Sequence, residues 1–209
     1  AVQFAAKAMS SAQKAGDNET LLSAYIVLPD ALSQTGKLFS ARERAKQGLA
    51  LARKLKNRQR EASALNALGL VTIALEDPST AQKYQEEALG IAHEIKDHYL
   101  EAKILNNLAI STSSQGDYQS GRDFFLEALA VFQEQGNQTG KGLALTNLGW
   151  VSGILGDYPA AMDYYAQSLV ITRQLAQKHE EMYTYFNLSA SCYGQGLASE
   201  AKKWAENGL

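Results

Sequence analysis

The residues of this chain most able to do acid–base, nucleophilic or metal chemistry are its three histidines, its single cysteine and its adjacent glutamate pairs. Their spacing argues against all three. His93, His98 and His179 are scattered, with no cysteine or carboxylate at ligand spacing apart from Asp97, four residues after His93. Cys192 has apolar neighbours in a helical pattern, which fits packing rather than a thiolate nucleophile. Glu86-Glu87 and Glu180-Glu181 are sequence neighbours, and neighbours on a helix diverge by about 100° and do not share one site. No phosphate-binding G-x-x-x-x-G-K-[ST] segment is present. The expectation is a chain that is not an enzyme and holds no cofactor or metal.

A second kind of chemistry is electrostatic. Net charge is −2, yet residues 37–60 carry nine basic side chains against one acidic residue, Glu43. Within this stretch Arg42, Lys46 and Arg53 recur at near-helical spacing, with Lys54, Arg58 and Arg60 beyond them. Such asymmetry speaks about partners rather than fold. A solvated face, an acidic protein partner and nucleic acid are the three readings. The acidic remainder of the chain weighs against the wide basic footprint that nucleic acid requires.

These residues are positioned by a repeat of 40. Leu28, Leu68, Leu108, Leu148 and Leu188 form one column without insertions. Eight residues later fall Gly36, Gly116, Gly156 and Gly196, with Glu76 the exception. Met9, Leu49, Leu89, Leu129, Leu169 and Leu209 form another column. A period of this length marks stacked supersecondary units, which bind far more often than they catalyse. Each unit reads as two helices. Leu145, Leu148, Val151 and Ile154 make one helical face; Gly156-Asp157 breaks it; Pro159 opens the next helix at a position that tolerates proline. Small residues at Gly69, Ala109, Gly149 and Ser189 are expected to admit the second helix of the same unit. Large rings at Tyr84, Phe124, Tyr164 and Trp204 are expected to fill the gap between units. Pro29 is expected to kink or break the first helix of its unit.

Asn147-Leu148-Gly149, Gly156-Asp157-Tyr158, Ala161, Tyr165 and Ser168-Leu169, echoed by Asn107-Leu108-Ala109 and Gly116-Asp117-Tyr118, resemble the tetratricopeptide repeat. The 40-residue period is similar to the long-helix subtype of kinesin light chains, Pins-type adaptors, and bacterial signalling ATPases and regulators. The resemblance implies an all-α fold, a right-handed superhelical solenoid of antiparallel helix pairs. It divides residues 1–209 into the second helix of a truncated repeat at 1–16, a degenerate repeat at 20–56, repeats at 60–96, 100–136 and 140–176, and a truncated repeat at 180–209. Because Phe4, Ala8 and Met9 already occupy second-helix columns, the expectation is a piece of a longer protein.

The resemblance further implies that the first helix of each unit lines a concave groove. Asn66, Lys103, Asn106, Asn107, Thr146, Asn147, Trp150, Tyr183, Phe186, Asn187 and Tyr193 would then face a ligand. Asparagine amides can grip any peptide backbone, and aromatic rings can pocket apolar anchors. The column Asn107, Asn147 and Asn187 serves either the ligand or the neighbouring helix. The basic segment is expected on the opposite, convex side. With no apolar run long enough for a membrane helix, no signal-peptide pattern and one cysteine, the expected setting is cytoplasmic. The expected role is binding a peptide or protein within a larger regulator. An internal scaffold in contact with other domains of a parent chain, or with itself, is the alternative. No membrane partner is expected.

Overall fold

Most described turns of the chain combine a side-chain cap with a left-handed residue. Asp17, Asn57, Asp77, Asp97, Asp117, Asn137 and Asp157 each accept a hydrogen bond from the backbone N–H three residues on, at 2.9–3.2 Å. Each such cap is worth about 1 kcal/mol. Just before Asp17, Asn57, Asp97, Asp117, Asn137 and Asp157 the backbone turns through positive φ. Gly156 does so at +81°, where a Cβ would be strained. Lys56, Lys96 and Ala176 take φ of 53–56° without being glycine.

The computed structural model describes residues 2–75 and 77–208, with the side chains of residues 2–6 and 8 left out. Glu76, Leu209 and the side chains of Phe4 and Ala8, all assigned to repeat columns above, lie outside the described residues. Among the described residues there are eleven helices and no strand: α1 (Val2–Ala15), α2 (Asn18–Ser33), α3 (Leu38–Lys54), α4 (Arg58–Ala74), α5 (Pro78–Ile95), α6 (His98–Ser114), α7 (Tyr118–Glu134), α8 (Gln138–Ile154), α9 (Tyr158–Gln174), α10 (Lys178–Gly194) and α11 (Ala198–Asn207). The chain is all-α. It forms two compact units, Ala1–Gln115 and Gly116–Leu209.

In the first unit, Ala62, Leu65, Ala88, Ile91, Ala92, Leu100 and Ile104 form a buried cluster, with Tyr84 packed on its edge. A second cluster joins Leu28, Leu32, Ala41 and Val71. Each large aliphatic side chain so buried contributes roughly 1.5–3 kcal/mol. Pro29 does not break its helix, which continues to Ser33. Proline cannot donate to the Tyr25 carbonyl one turn back. That carbonyl lies beside Gly48 of α3, close enough that a Cβ on Gly48 would stand 3.5 Å from it.

In the second unit, Ala161, Tyr165, Leu169, Tyr185 and Leu188 form the core. Trp204 stacks on Tyr185 with ring centroids 6.0 Å apart. The small-residue column works as expected: a Cβ on Gly149 would fall 2.6 Å from the Tyr165 ring, and one on Gly69 would fall 2.7 Å from Gln85 Cγ. In the large-ring column, Tyr84 and Trp204 pack against buried clusters as expected, but the middle pair is less deeply set. Phe124 and Tyr164 are only half-buried. The deeply buried residues are their successors, Phe125 and Tyr165, and in the first unit Gln85.

Candidate binding clefts

Unit one places α2, α4 and α6 side by side, and between them lies a cleft of about 590 Å³. Its floor is polar: Asn107 donates from Nδ2 to Asn66 Oδ1 at 3.0 Å. Its walls include Ile26, Val27 and Leu70 with three charged groups, Asp30, Arg60 and Lys103. Lys103 Nζ stands 5.6 Å above the Tyr99 ring, and Asp30 accepts from the Gln34 amide at 3.1 Å. Asn106 is buried, with its amide 3.5 Å from Asn107 Oδ1, and does not line this cleft.

Unit two holds smaller concavities. One of about 380 Å³, between α8 and α10, is lined by Leu143, Thr146, Asn147, Glu180 and Tyr183. Thr146 is committed inside the fold, sharing a 2.7 Å hydrogen bond with Ser168 Oγ and donating to the Gly142 carbonyl at 3.1 Å. A second, of about 190 Å³, brings Trp150, Tyr158 and Asn187 together. Asn187 is 8% exposed, and its Nδ2 has no hydrogen-bond partner among the described residues. The Trp150 ring is held edge-on to Tyr118 at 6.2 Å. The third, about 550 Å³, lies between α10 and α11 beside Tyr183 and Phe186. Phe186 is 68% and Tyr193 74% exposed. Tyr193 lines none of these concavities.

The basic segment divides. Arg53 donates to Glu61 at 2.9 Å and to Glu87 at 2.6 Å. Arg58 donates to Glu61 at 2.7 Å and to Glu94 at 2.5 Å. Burial acts to raise the Glu61 carboxyl, but the hydrogen bonds and charges of the two arginines outweigh it and hold the group below the usual carboxylate range. Lys46 pairs with Glu43 at 3.4 Å, Arg42 lies over the Phe39 ring at 5.5 Å, and Lys54 is exposed. Arg60, expected on the convex side, lines the unit-one cleft instead. It sits two residues past Arg58, which is about 200° around the helix.

Several of the acid–base candidates are engaged by the fold, whereas His179 and Glu180 are exposed and line the concavity between α8 and α10. His93 and His98 both contact Glu101, at 3.1 and 3.0 Å. Asp97 caps α6 and accepts from Gln59. Glu87 and Glu181 pair with Arg53 and Arg173. Cys192 is buried, and burial pushes its thiol up. Among the described residues no helix is long and apolar enough to cross a membrane.

A comparison with curated proteins finds no match. Solved structures do match. BtubC (BKLC) from P. vanneervenii is 20% identical with a TM-score of 0.82, over 99% of this chain and 87% of that one. The signal transduction ATPase with numerous domains from Pyrococcus horikoshii, which has a tetratricopeptide repeat sensor, is 19% identical with a TM-score of 0.78. That match covers 91% of this chain and 29% of the ATPase. The Rap conjugation gene regulator of plasmid pLS20, solved with the Phr* peptide, is 16% identical with a TM-score of 0.77, over 94% of this chain and 55% of the regulator. At these identities the likeness is one of fold, that of helical repeat proteins. The sequence itself matches the family model described as tetratricopeptide repeat over residues 60–134 and 100–174. The chain belongs to the tetratricopeptide repeat family.

Proposed function

We propose that this chain is a recognition module, the sensor or scaffold part of a larger cytoplasmic regulator, which binds an extended peptide or protein segment against the first helices of its repeats. The observation that carries this reading is the pairing of amides with exposed apolar surface on those helices. Asn66 and Asn107 line one cleft; Asn147, Leu143 and Tyr183 line another. Leu143, Tyr183 and Phe186 are about half exposed or more so, and apolar side chains left in water next to polar groups mark interaction surfaces. The Rap regulator bound to a Phr* peptide and the ATPase with a repeat sensor show folds of this type in such roles, which supports the assignment by analogy.

The test is a pulldown with the chain as bait, read by mass spectrometry at low and moderate salt, beside the double variant Asn147→Ala, Trp150→Ala. Partners lost from the variant while its far-ultraviolet helicity is retained would support the reading. Partners bound equally by both proteins would overturn it. A second reading is self-assembly, favoured by the exposure of Phe186 and Tyr193 on α10. Sedimentation that shifts with concentration, and stops shifting in Phe186→Ser, would support it.

A further inference from the structure

We propose that the concavity between α8 and α10 takes a cationic side chain, a lysine or arginine of the bound segment, with its aliphatic stem on Leu143 and Tyr183 and its charge on the Glu180 carboxylate. This rests on the peptide-binding reading and adds the chemistry of the guest at one place. The cavity measures about 380 Å³. Among the described residues, Glu180 is the one carboxylate that lines it, and no lysine or arginine does. Glu180 is exposed and forms no ion pair among the described residues. The cations nearest to it in sequence serve its neighbour: Arg173 bonds Glu181 at 2.9 Å, and Lys178 lends its charge to the same carboxyl.

The repeat itself marks this carboxylate. Arg60, Leu100, Gly140 and Glu180 occupy one column of the 40-residue register. In the first unit that column sets Arg60 in the cleft of α2, α4 and α6, and in the second it sets Glu180 in the cavity of α8 and α10. Three residues on, Ser63 and Lys103 line the first cleft, whereas Leu143 and Tyr183 line the second. Equivalent positions thus carry cations in one unit and a carboxylate beside apolar surface in the other. Leu143 is 51% and Tyr183 49% exposed, so both offer cover for the stem of a lysine or arginine while its head stays at the polar rim. An aromatic face attracts a cation, and a cation against a carboxylate makes a charge-assisted hydrogen bond. The threonine hydroxyls are spent inside the fold: Thr146 donates to the Gly142 carbonyl and Thr172 to that of Leu169. Discrimination is then left to charge and apolar cover. An acidic side chain would meet Glu180 as a like charge.

The probes are a short blocked peptide with one lysine among glycine and serine, and the same peptide with norleucine, which keeps the stem and removes the charge. Both are titrated into the full chain at about pH 8, where an ordinary imidazole is neutral. The Leu143 methyl and Asn147 side-chain amide resonances give both affinity and location. The lysine peptide should shift both resonances and bind about five- to tenfold more tightly than the norleucine peptide. Glu180→Gln should remove that preference. The control Glu127→Gln, an exposed residue of α7 outside this cavity, makes the same change in net charge and should keep it. Melting curves confirm that each variant is folded. Equal binding of both peptides at Leu143 and Asn147 would overturn the cationic selectivity and leave peptide recognition standing. Neither peptide shifting those resonances would overturn the proposal for this cavity, while the pulldown decides the wider reading separately. Equal losses in the two variants would reduce the effect to bulk charge and overturn it as well. Tighter binding of a glutamate counterpart would overturn the sign of the guest's charge, and the proposal with it.

Discussion

The two compact units fill the same repeat position with opposite chemistry. In the second unit the side chain facing the small-residue column is Tyr165, a ring set against Gly149. In the first it is Gln85, fully buried, accepting from Ser111 through Oε1 and leaving Nε2 without a partner. Phenol burial stabilises through area, and here burial also pushes the Tyr165 hydroxyl pKa upward, helped by the charge of Tyr183. Amide burial returns little unless every donor is matched. The concavities also differ: the first unit's cleft holds Asp30, Arg60 and Lys103, whereas the one between α10 and α11 is walled by Met182, Tyr183 and Phe186. The repeat fixes where a side chain sits, and the residue type then decides whether that place contributes packing or polarity.

The sharpest way to break this comparison is truncation. Tyr165→Ala should destabilise by about 3–5 kcal/mol, as loss of a buried ring does. Gln85→Ala should cost no more than about 1–2 kcal/mol, because an unsatisfied donor is removed with it. Urea unfolding monitored by circular dichroism measures both, and equal losses would erase the distinction. Next in size is the glycine beneath each side chain. Gly149→Ala should cost about 1–3 kcal/mol by driving a methyl into a packed ring. Gly69→Ala meets the flexible Gln85 chain and regains about 1 kcal/mol of helix propensity, so it should come out near zero.

Electrostatics gives a third contrast. Glu61 is nearly buried between two arginines, whereas Glu181 pairs with Arg173 at the surface. Arg173 and Tyr185 hold the Glu181 carboxyl below its ordinary value as well. Because both carboxyls are depressed, their stabilisation is complete above the ordinary glutamate value of 4.5 and is lost as pH falls through the lower native values. Glu61→Gln should cost about 1–3 kcal/mol at neutral pH, and Glu181→Gln distinctly less, because its ion pair is solvated. Melting temperature followed from pH 7 into the acid range should flatten more in the first variant. The smallest effect is at the turns. Lys96→Gly should stabilise by about 0.5–1 kcal/mol by relieving a positive φ. A change of opposite sign would mean that the lysine side chain holds the turn.

Much of this was legible in the sequence. The 40-residue register located helices, turns and most caps because glycine and aspartate announce them locally. It also placed Asn66, Lys103 and Asn107 near one another, since they share the faces of neighbouring first helices. Three things were not legible. Phe124-Phe125 and Tyr164-Tyr165 are doublets, and composition does not say which ring of an adjacent pair turns inward. Glu87 and Glu94 neutralise arginines 34 and 36 residues away, a distance at which no spacing rule operates. Arg60 lay at the end of a basic run, and only its angle on the helix separates it from Arg58.

The Asn107–Asn66 bond gives the first cleft a kinetic character. A guest that engages the Asn107 amide does not gain a hydrogen bond outright; it trades places with Asn66. Such partner exchange changes the number of bonds little, so the amide floor adds only a shallow well, and departure is as easy as arrival. Lifetime on the surface is then left to whatever side chains the guest brings. On the peptide-binding reading proposed above, such a cleft would sample many passing segments briefly and retain the few whose side chains fit.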